Sequence, residues 1–222
     1  DGDGYGDNPG GNLWDKFPND PTQWEDSDGD GYGDNANGVN PDHCPNEWGT
    51  SSHDRSGCPD SDADGLSDMN DDCPIAAGNS TLDRIGCPDG DGDGWSNPDD
   101  DAVAHPDGNA DAFQFDRTQW RDQDGDVYGD NPDGLNPDDC PNEFGKSFKT
   151  QLGCPDSDSD GWSNLNDAFP EDESQHADRD HDGFGDNPNG NNGDDCPDKT
   201  GNSTNGKLGC VDGDGDGFAN EI

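Results

Sequence analysis

The chain has 222 residues, 55 of them acidic and 10 basic, for a formal net charge of −45, and only 23% of it is apolar. So few apolar side chains cannot offset the ordering entropy, and self-repulsion adds to that penalty, so a compact state needs something that cancels negative charge. The same balance excludes nucleic acid and anionic membrane surfaces as partners, and no apolar run approaches the ~20 residues of a membrane span.

In chain order the dominant element is Asp-x-Asp-x-Asp-Gly, which recurs eight times. Calcium takes six to eight oxygens, and carboxylates at positions 1, 3 and 5 of a loop wrap around one ion. Gly at 6 makes the sharp turn, and a carbonyl at 7, an Asp or Asn at 9 and a later acid complete the shell. Magnesium demands a stricter octahedron and keeps its waters, which makes calcium the expected ion.

The chain opens on a truncated copy, DGDGYGD, which supplies Asp1, Asp3 and Asp7 with Asp15 closing. The second copy offers Asp26, Asp28, Asp30, the Tyr32 carbonyl and Asp34, closed by Asp42. The third offers Asp60, Asp62, Asp64, the Leu66 carbonyl and Asp68, closed by Asp71; the fourth Asp89, Asp91, Asp93, the Trp95 carbonyl and Asn97, closed after a longer insert by Asp111. The fifth gives Asp122, Asp124, Asp126, the Tyr128 carbonyl and Asp130 with Asp138; the sixth Asp156, Asp158, Asp160, the Trp162 carbonyl and Asn164 with Asp167. The seventh gives Asp178, Asp180, Asp182, the Phe184 carbonyl and Asp186 with Asp194, and the last Asp212, Asp214, Asp216 and Asn220. Position 7 is always large and apolar, which suggests a small private core for each loop. Val127 stands at position 6 of its loop where the other copies have Gly, which predicts the weakest or most distorted site there.

The closing acids precede an anchor by two residues. The anchor is Cys after Asp42, Asp71, Asp138 and Asp194, and Phe after Asp15, Asp111 and Asp167. Asp20, Asp116 and Asp172, five residues beyond each Phe-class acid, are candidates for a second ion.

The cysteines form pairs of equal spacing, Cys44/Cys58, Cys73/Cys87, Cys140/Cys154 and Cys196/Cys210, each enclosing a Cys-Pro-x-x-x-Gly frame that ends in Gly-Cys. Four local disulfides are the economical reading; a zinc site wants Cys-x-x-Cys or Cys with His at short spacing, and no such pattern recurs with the frames. Disulfides place the chain in an oxidising compartment, extracellular or at a cell surface. Two sequons, at Asn79 and Asn202, sit equally far into separate frames and read as glycosylation sites on exposed loop tips.

Between loops lie Pro, Gly, Asn and Asp without helical apolar spacing, which separates the chain from EF-hand proteins. The fold class expected is little regular secondary structure: an elongated array of calcium-wrapped loops pinned by local disulfides, with short turns and isolated β-bridges and no conventional hydrophobic core. One-turn helices are expected inside the frames, at Ser147 to Gln151 for example.

DSDADGLSDMNDDCP, Asp60 to Pro74, resembles the thrombospondin type 3 repeat, and the looser resemblance covers almost the whole chain. It implies backbone wrapped around many calcium ions, an extracellular location and a role in matrix or surface architecture. The eight-residue inserts and the Thr22 to Trp24 and Thr118 to Trp120 segments depart from the animal pattern and look more like repeats of very large secreted microbial proteins.

The five histidines occur singly and no base, nucleophile and orienting partner recurs together, so the chain reads as structural rather than enzymatic. A calcium-dependent adhesin or carbohydrate-binding module is the alternative. The loop at Asp1 lacks its position 1 ligand and the loop at Asp212 stops at Ile222 before its closing acid. The chain is therefore expected to be one continuous array belonging to a longer chain or a filament, with flanking repeats or further copies as its partners.

Overall fold

A computed structural model describes residues 1–220; the expectation drawn from Ile222 lies outside them. Among the described residues there is no helix, and pairing is confined to isolated parallel bridges such as Gly33 with Pro41, Gly129 with Pro137 and Gly185 with Gly193. Among these residues no helix is long and apolar enough to cross a membrane. The chain packs as two compact units, Asp1–Arg117 and Thr118–Ile222.

What fills the interior follows from the composition. The buried apolar residues are Cys58, Cys87, Ala110, Cys154 and Cys210, beside a larger buried set of Asp, Ser and Gln. With so little apolar surface, the backbone must satisfy its polar groups through local bonds. Each complete loop is tied like a lasso. The position 9 N–H donates to the carbonyl just before position 1, as Asp34 does to Glu25 and Asp130 to Arg121, both at 2.9 Å.

All four disulfides are local: Cys44–Cys58, Cys73–Cys87, Cys140–Cys154 and Cys196–Cys210. A loop of this length confines the unfolded chain by about 3 kcal/mol in the chain-entropy view. The frames carry no one-turn helix. At Ser147 to Gln151 the Ser147 hydroxyl donates to the Gln151 carbonyl, and the Ser147 N–H turns to Cys154, so the local helical bonds are replaced. Ser51, Ser80 and Ser203 hold the same buried place in the other frames.

Frames also grip the loops on either side. The frame glycines Gly49, Gly78, Gly145 and Gly201 donate to the position 5 carboxylates Asp30, Asp64, Asp126 and Asp182 of the preceding loops. Two successive frame N–H groups then meet the position 6 carbonyl of the next loop, as Ser52 and His53 meet Gly65 at 2.9 Å. The sequence between successive loops is thus a clamp rather than a passive linker.

Candidate metal centres

Position 1 shapes each loop. Asp26 accepts the N–H groups of Gly29 and Gly31, and Asp60, Asp89, Asp122, Asp156, Asp178 and Asp212 repeat the pattern. This draws positions 4 and 6 into positive φ. Position 6 follows the sequence reading, including Val127 at φ 78°. Position 4 was not anticipated; there Ala63, Ser159 and His181 take φ of 65°, 68° and 61°. The expected distortion at Asp122 does not occur, because Val127 adopts the same turn and the same bond to Asp122.

Position 5 is fixed by the N–H of position 7, as Asp30 by Tyr32 and Asp93 by Trp95, both at 2.8 Å. The carbonyls of Tyr5, Tyr32, Leu66, Trp95, Tyr128, Trp162, Phe184 and Phe218 accept no hydrogen bond among the described residues, as suits a ligand position. Their side chains are half-buried rather than cored, and those of Tyr5 and Phe218 are exposed. Tyr5 stacks on Trp24 and Trp162 on His176, joining one loop to the segment that precedes the next.

The closing acids come to the loops as the spacing predicts, whatever the length of chain between. Asp15, Asp42, Asp71, Asp111, Asp138 and Asp194 each donate their N–H to the carbonyl at position 8, from Gly6, Gly33, Ser67, Ser96, Gly129 and Gly185. One carboxylate oxygen then accepts the N–H two residues on, at Cys44, Cys73, Cys140 and Cys196 or at Phe17, Phe113 and Phe169. That bond explains why Cys and Phe anchors are equivalent: the backbone is used, and the side chain is free to differ.

The other oxygen is left without a partner. Buried, unpartnered carboxylate oxygens occur on the closing residues Asp15, Asp42, Asp111, Asp138 and Asp194. They recur on position 3, at Asp28, Asp62, Asp91, Asp124, Asp158 and Asp180, and on position 5 at Asp3 and Asp93. Asp124 and Asp180 have neither oxygen paired. Native interiors rarely leave such atoms bare, since each forfeits its hydration for nothing. Burial, reinforced by neighbouring carboxylates, pushes Asp111 and Asp138 up to about 7, and it raises Asp42, Asp71, Asp167 and Asp194 as well.

Several Asp triplets could therefore hold a metal ion, among them Asp1, Asp3 and Asp15, and positions 1, 3 and 5 of the loops at Asp26, Asp60, Asp89 and Asp122. The donors in these triplets are all carboxylate oxygens, the set a hard cation prefers. No cysteine is free, so a thiolate zinc site is ruled out among the described residues.

Position 9 has a use that the sequence reading does not name. Asp34, Asp68, Asp130 and Asp186, like Asn97, Asn164 and Asn220, accept the N–H of position 2 and so close the loop. In Asp34 and Asp68 the second oxygen is also engaged, by the hydroxyls of Ser27 and Ser61. Asp7 is exposed, as are Asp214 and Asp216. Asp20 and Asp172 cap the turns at Thr22 and Ser174, and the Ser174 bonds hold Asp172 below the usual carboxylate range. Asn79 and Asn202 are exposed, but the Ser of each sequon is the buried frame serine, Ser80 or Ser203, which gives the equal placement a structural cause.

Sequence reasoning missed Gln23, Gln119 and Gln175, each 1% exposed. The signal was present: a Gln stands at the same place after each of Asp15, Asp111 and Asp167, at the head of three segments in common register, 15–58, 111–154 and 167–210. Compared with models of known protein families and with curated protein sequences, the chain matches none.

Proposed function

We propose that this is an extracellular calcium-binding structural repeat protein, built as a stiff spacer for a rod, stalk or surface filament and not as an enzyme. The observation that carries the reading is the recurrence of buried carboxylate oxygens without partners at position 3 and on the closing acids. Bringing like charges together in the dry interior is unfavourable unless a cation joins them. Calcium fits better than magnesium because the donors are all oxygen, with a carbonyl at position 7 beside the carboxylates, and calcium takes six to eight such oxygens whereas magnesium demands a strict octahedron and keeps its waters. It would supply charge neutralisation and cross-linking, while this chain's own bonds fix position 1, position 5 and the closing acid in place. The four disulfides mark an oxidising environment, which supports a place outside the cytoplasm.

A spacer is favoured over a binding module because the repeated features, frames gripping loops and loops capped by frames, all serve to stiffen the chain. The glycan sites at Asn79 and Asn202 and association with further repeats belong to the same proposal. Small-angle scattering with disulfides intact tests it. Calcium at millimolar concentration should compact the protein with about one ion per loop, and chelation should expand it. An unchanged radius on chelation, or saturable glycan binding that needs calcium, would replace the spacer reading.

A further inference from the structure

We propose that Gln23, Gln119 and Gln175 are positioning residues for the metal: each sets the eight-residue path that delivers a closing carboxylate, Asp42, Asp138 or Asp194. The proposal rests on the calcium reading and adds residues that are not ligands. The eight-residue path raises a physical problem. A three-residue path such as Asp68 to Asp71 is held by its own turn, with the Asn70 and Asp71 N–H groups both on the Ser67 carbonyl. A path from Asp34 to Asp42 has many more conformations, and freezing them would be charged against ion binding.

The glutamine removes that freedom. The Gln23 Nε2 donates to the Asn35 and Val39 carbonyls at 3.1 and 3.2 Å, and its Oε1 accepts the Asn35 N–H at 3.0 Å. One side chain thus ties the beginning of the path to Val39, in its second half. Gln119 and Gln175 make the corresponding bonds to Asn131 and Leu135 and to Asn187 and Asn191. The glutamine also lies against Gly33, where a Cβ would collide with it, and the Gly33 carbonyl is the group that receives the Asp42 N–H. Amide chemistry is required at this place. Glu would set an acceptor against two carbonyls, and an apolar isostere would leave the Asn35 N–H and the Val39 carbonyl unpaired and the Asn35 carbonyl with the Gly38 N–H alone.

Outer residues that orient a metal ligand change affinity by about 10- to 100-fold when removed. Cadmium-113 NMR on the intact chain provides a test, because cadmium accepts oxygen ligands in place of calcium and each bound ion gives its own resonance. Asp42→Asn identifies the resonance of the Asp26 loop. Gln23→Met should shift or broaden that same resonance, weaken calcium there about tenfold and leave the ions of the second unit unchanged. Thr22→Val is a milder variant, removing the hydroxyl that accepts the Val39 N–H and donates to Asp20, and should move the same resonance less. If Gln23→Met moves no resonance, or moves others equally, the glutamine is a general packing residue and the proposal fails. If the parent chain shows no bound cadmium at all, the calcium reading itself fails.

Discussion

Replacing Val127 by Gly should tighten calcium binding by the loop at Asp122. Val127 sits at φ 78° with its N–H on Asp122 at 3.0 Å, a backbone state that its branched Cβ opposes. The left-handed state costs a residue with a Cβ about 1–2 kcal/mol. Gly avoids that cost but gives up about 0.5–1 kcal/mol more chain entropy on ordering. The valine side chain is 78% exposed, so little burial is lost. The difference is about 1 kcal/mol in favour of Gly. With loop ordering coupled to the ion, that amounts to roughly a fivefold gain in affinity at this site alone. Gly31→Val supplies the reverse case, since a Cβ there meets open space at φ 96° and adds strain without a clash; it should weaken the Asp26 loop by a similar factor. Amide NMR during calcium titration reads both loops separately. Equal or weaker binding in Val127→Gly would refute the strain argument.

Asp138→Asn should reverse sign with calcium. Asp138 is 7% exposed with one oxygen unpartnered, so the amide relieves repulsion in the metal-free fold and raises its melting temperature, yet it lowers that of the calcium form by removing a ligand. A variant less stable under both conditions would contradict the assignment. Acid should act in the same sense. Because Asp111 and Asp138 are raised to about 7 from 3.8, their contribution to the metal-free fold is complete below about pH 4 and is lost as pH rises through about 7. The metal-free protein should therefore melt higher at pH 5 than at pH 8. Calcium must displace those protons, so the sites closed by Asp111 and Asp138 should lose affinity first on acidification from pH 8 to 6; pH-independent binding there would count against the role of these acids.

The legible part of the site was the part that repeats with an invariant residue type. Asp at positions 1, 3 and 5, the closing acids and the cysteine pairs all depend on side-chain chemistry, and the structure brings them together at the loops. Position 4 was missed because Ala63, Ser159 and His181 reveal nothing of a positive φ; the two bonds from Asp60, Asp156 and Asp178 impose it. The loop-closing bond at position 9 is not legible because Asp and Asn suit a ligand and a hydrogen-bond acceptor equally, and spacing does not reveal that both accept the position 2 N–H. The expected helix at Ser147 lost to the hydroxyl bond with Gln151, a local side-chain-to-backbone bond that competes with the helical ladder, and to the bond from the Ser147 N–H to Cys154.

The two kinds of anchor differ in how the position 5 carboxylate is held, and this bears on why the chain uses both. Where a frame follows, Asp30, Asp64, Asp126 and Asp182 each accept a glycine N–H from inside the disulfide ring, so the covalent frame helps to hold the carboxylate before any ion arrives. Where Phe follows, Asp3 and Asp93 keep a buried oxygen with no partner, which a bound cation would satisfy. On the calcium reading, disulfide frame and ion would act on the same carboxylate: the first preorganises it, and the second would recruit it. A chain so acidic cannot be ordered throughout by preorganised carboxylates, because each one fixed without an ion adds to the repulsion at −45. Mixing loops whose position 5 carboxylate is held by a frame with loops where it is not limits that repulsion, while each frame fixes the backbone on which the next loop's turn is built. The Ser52 and His53 N–H groups on the Gly65 carbonyl are the point at which one passes into the other.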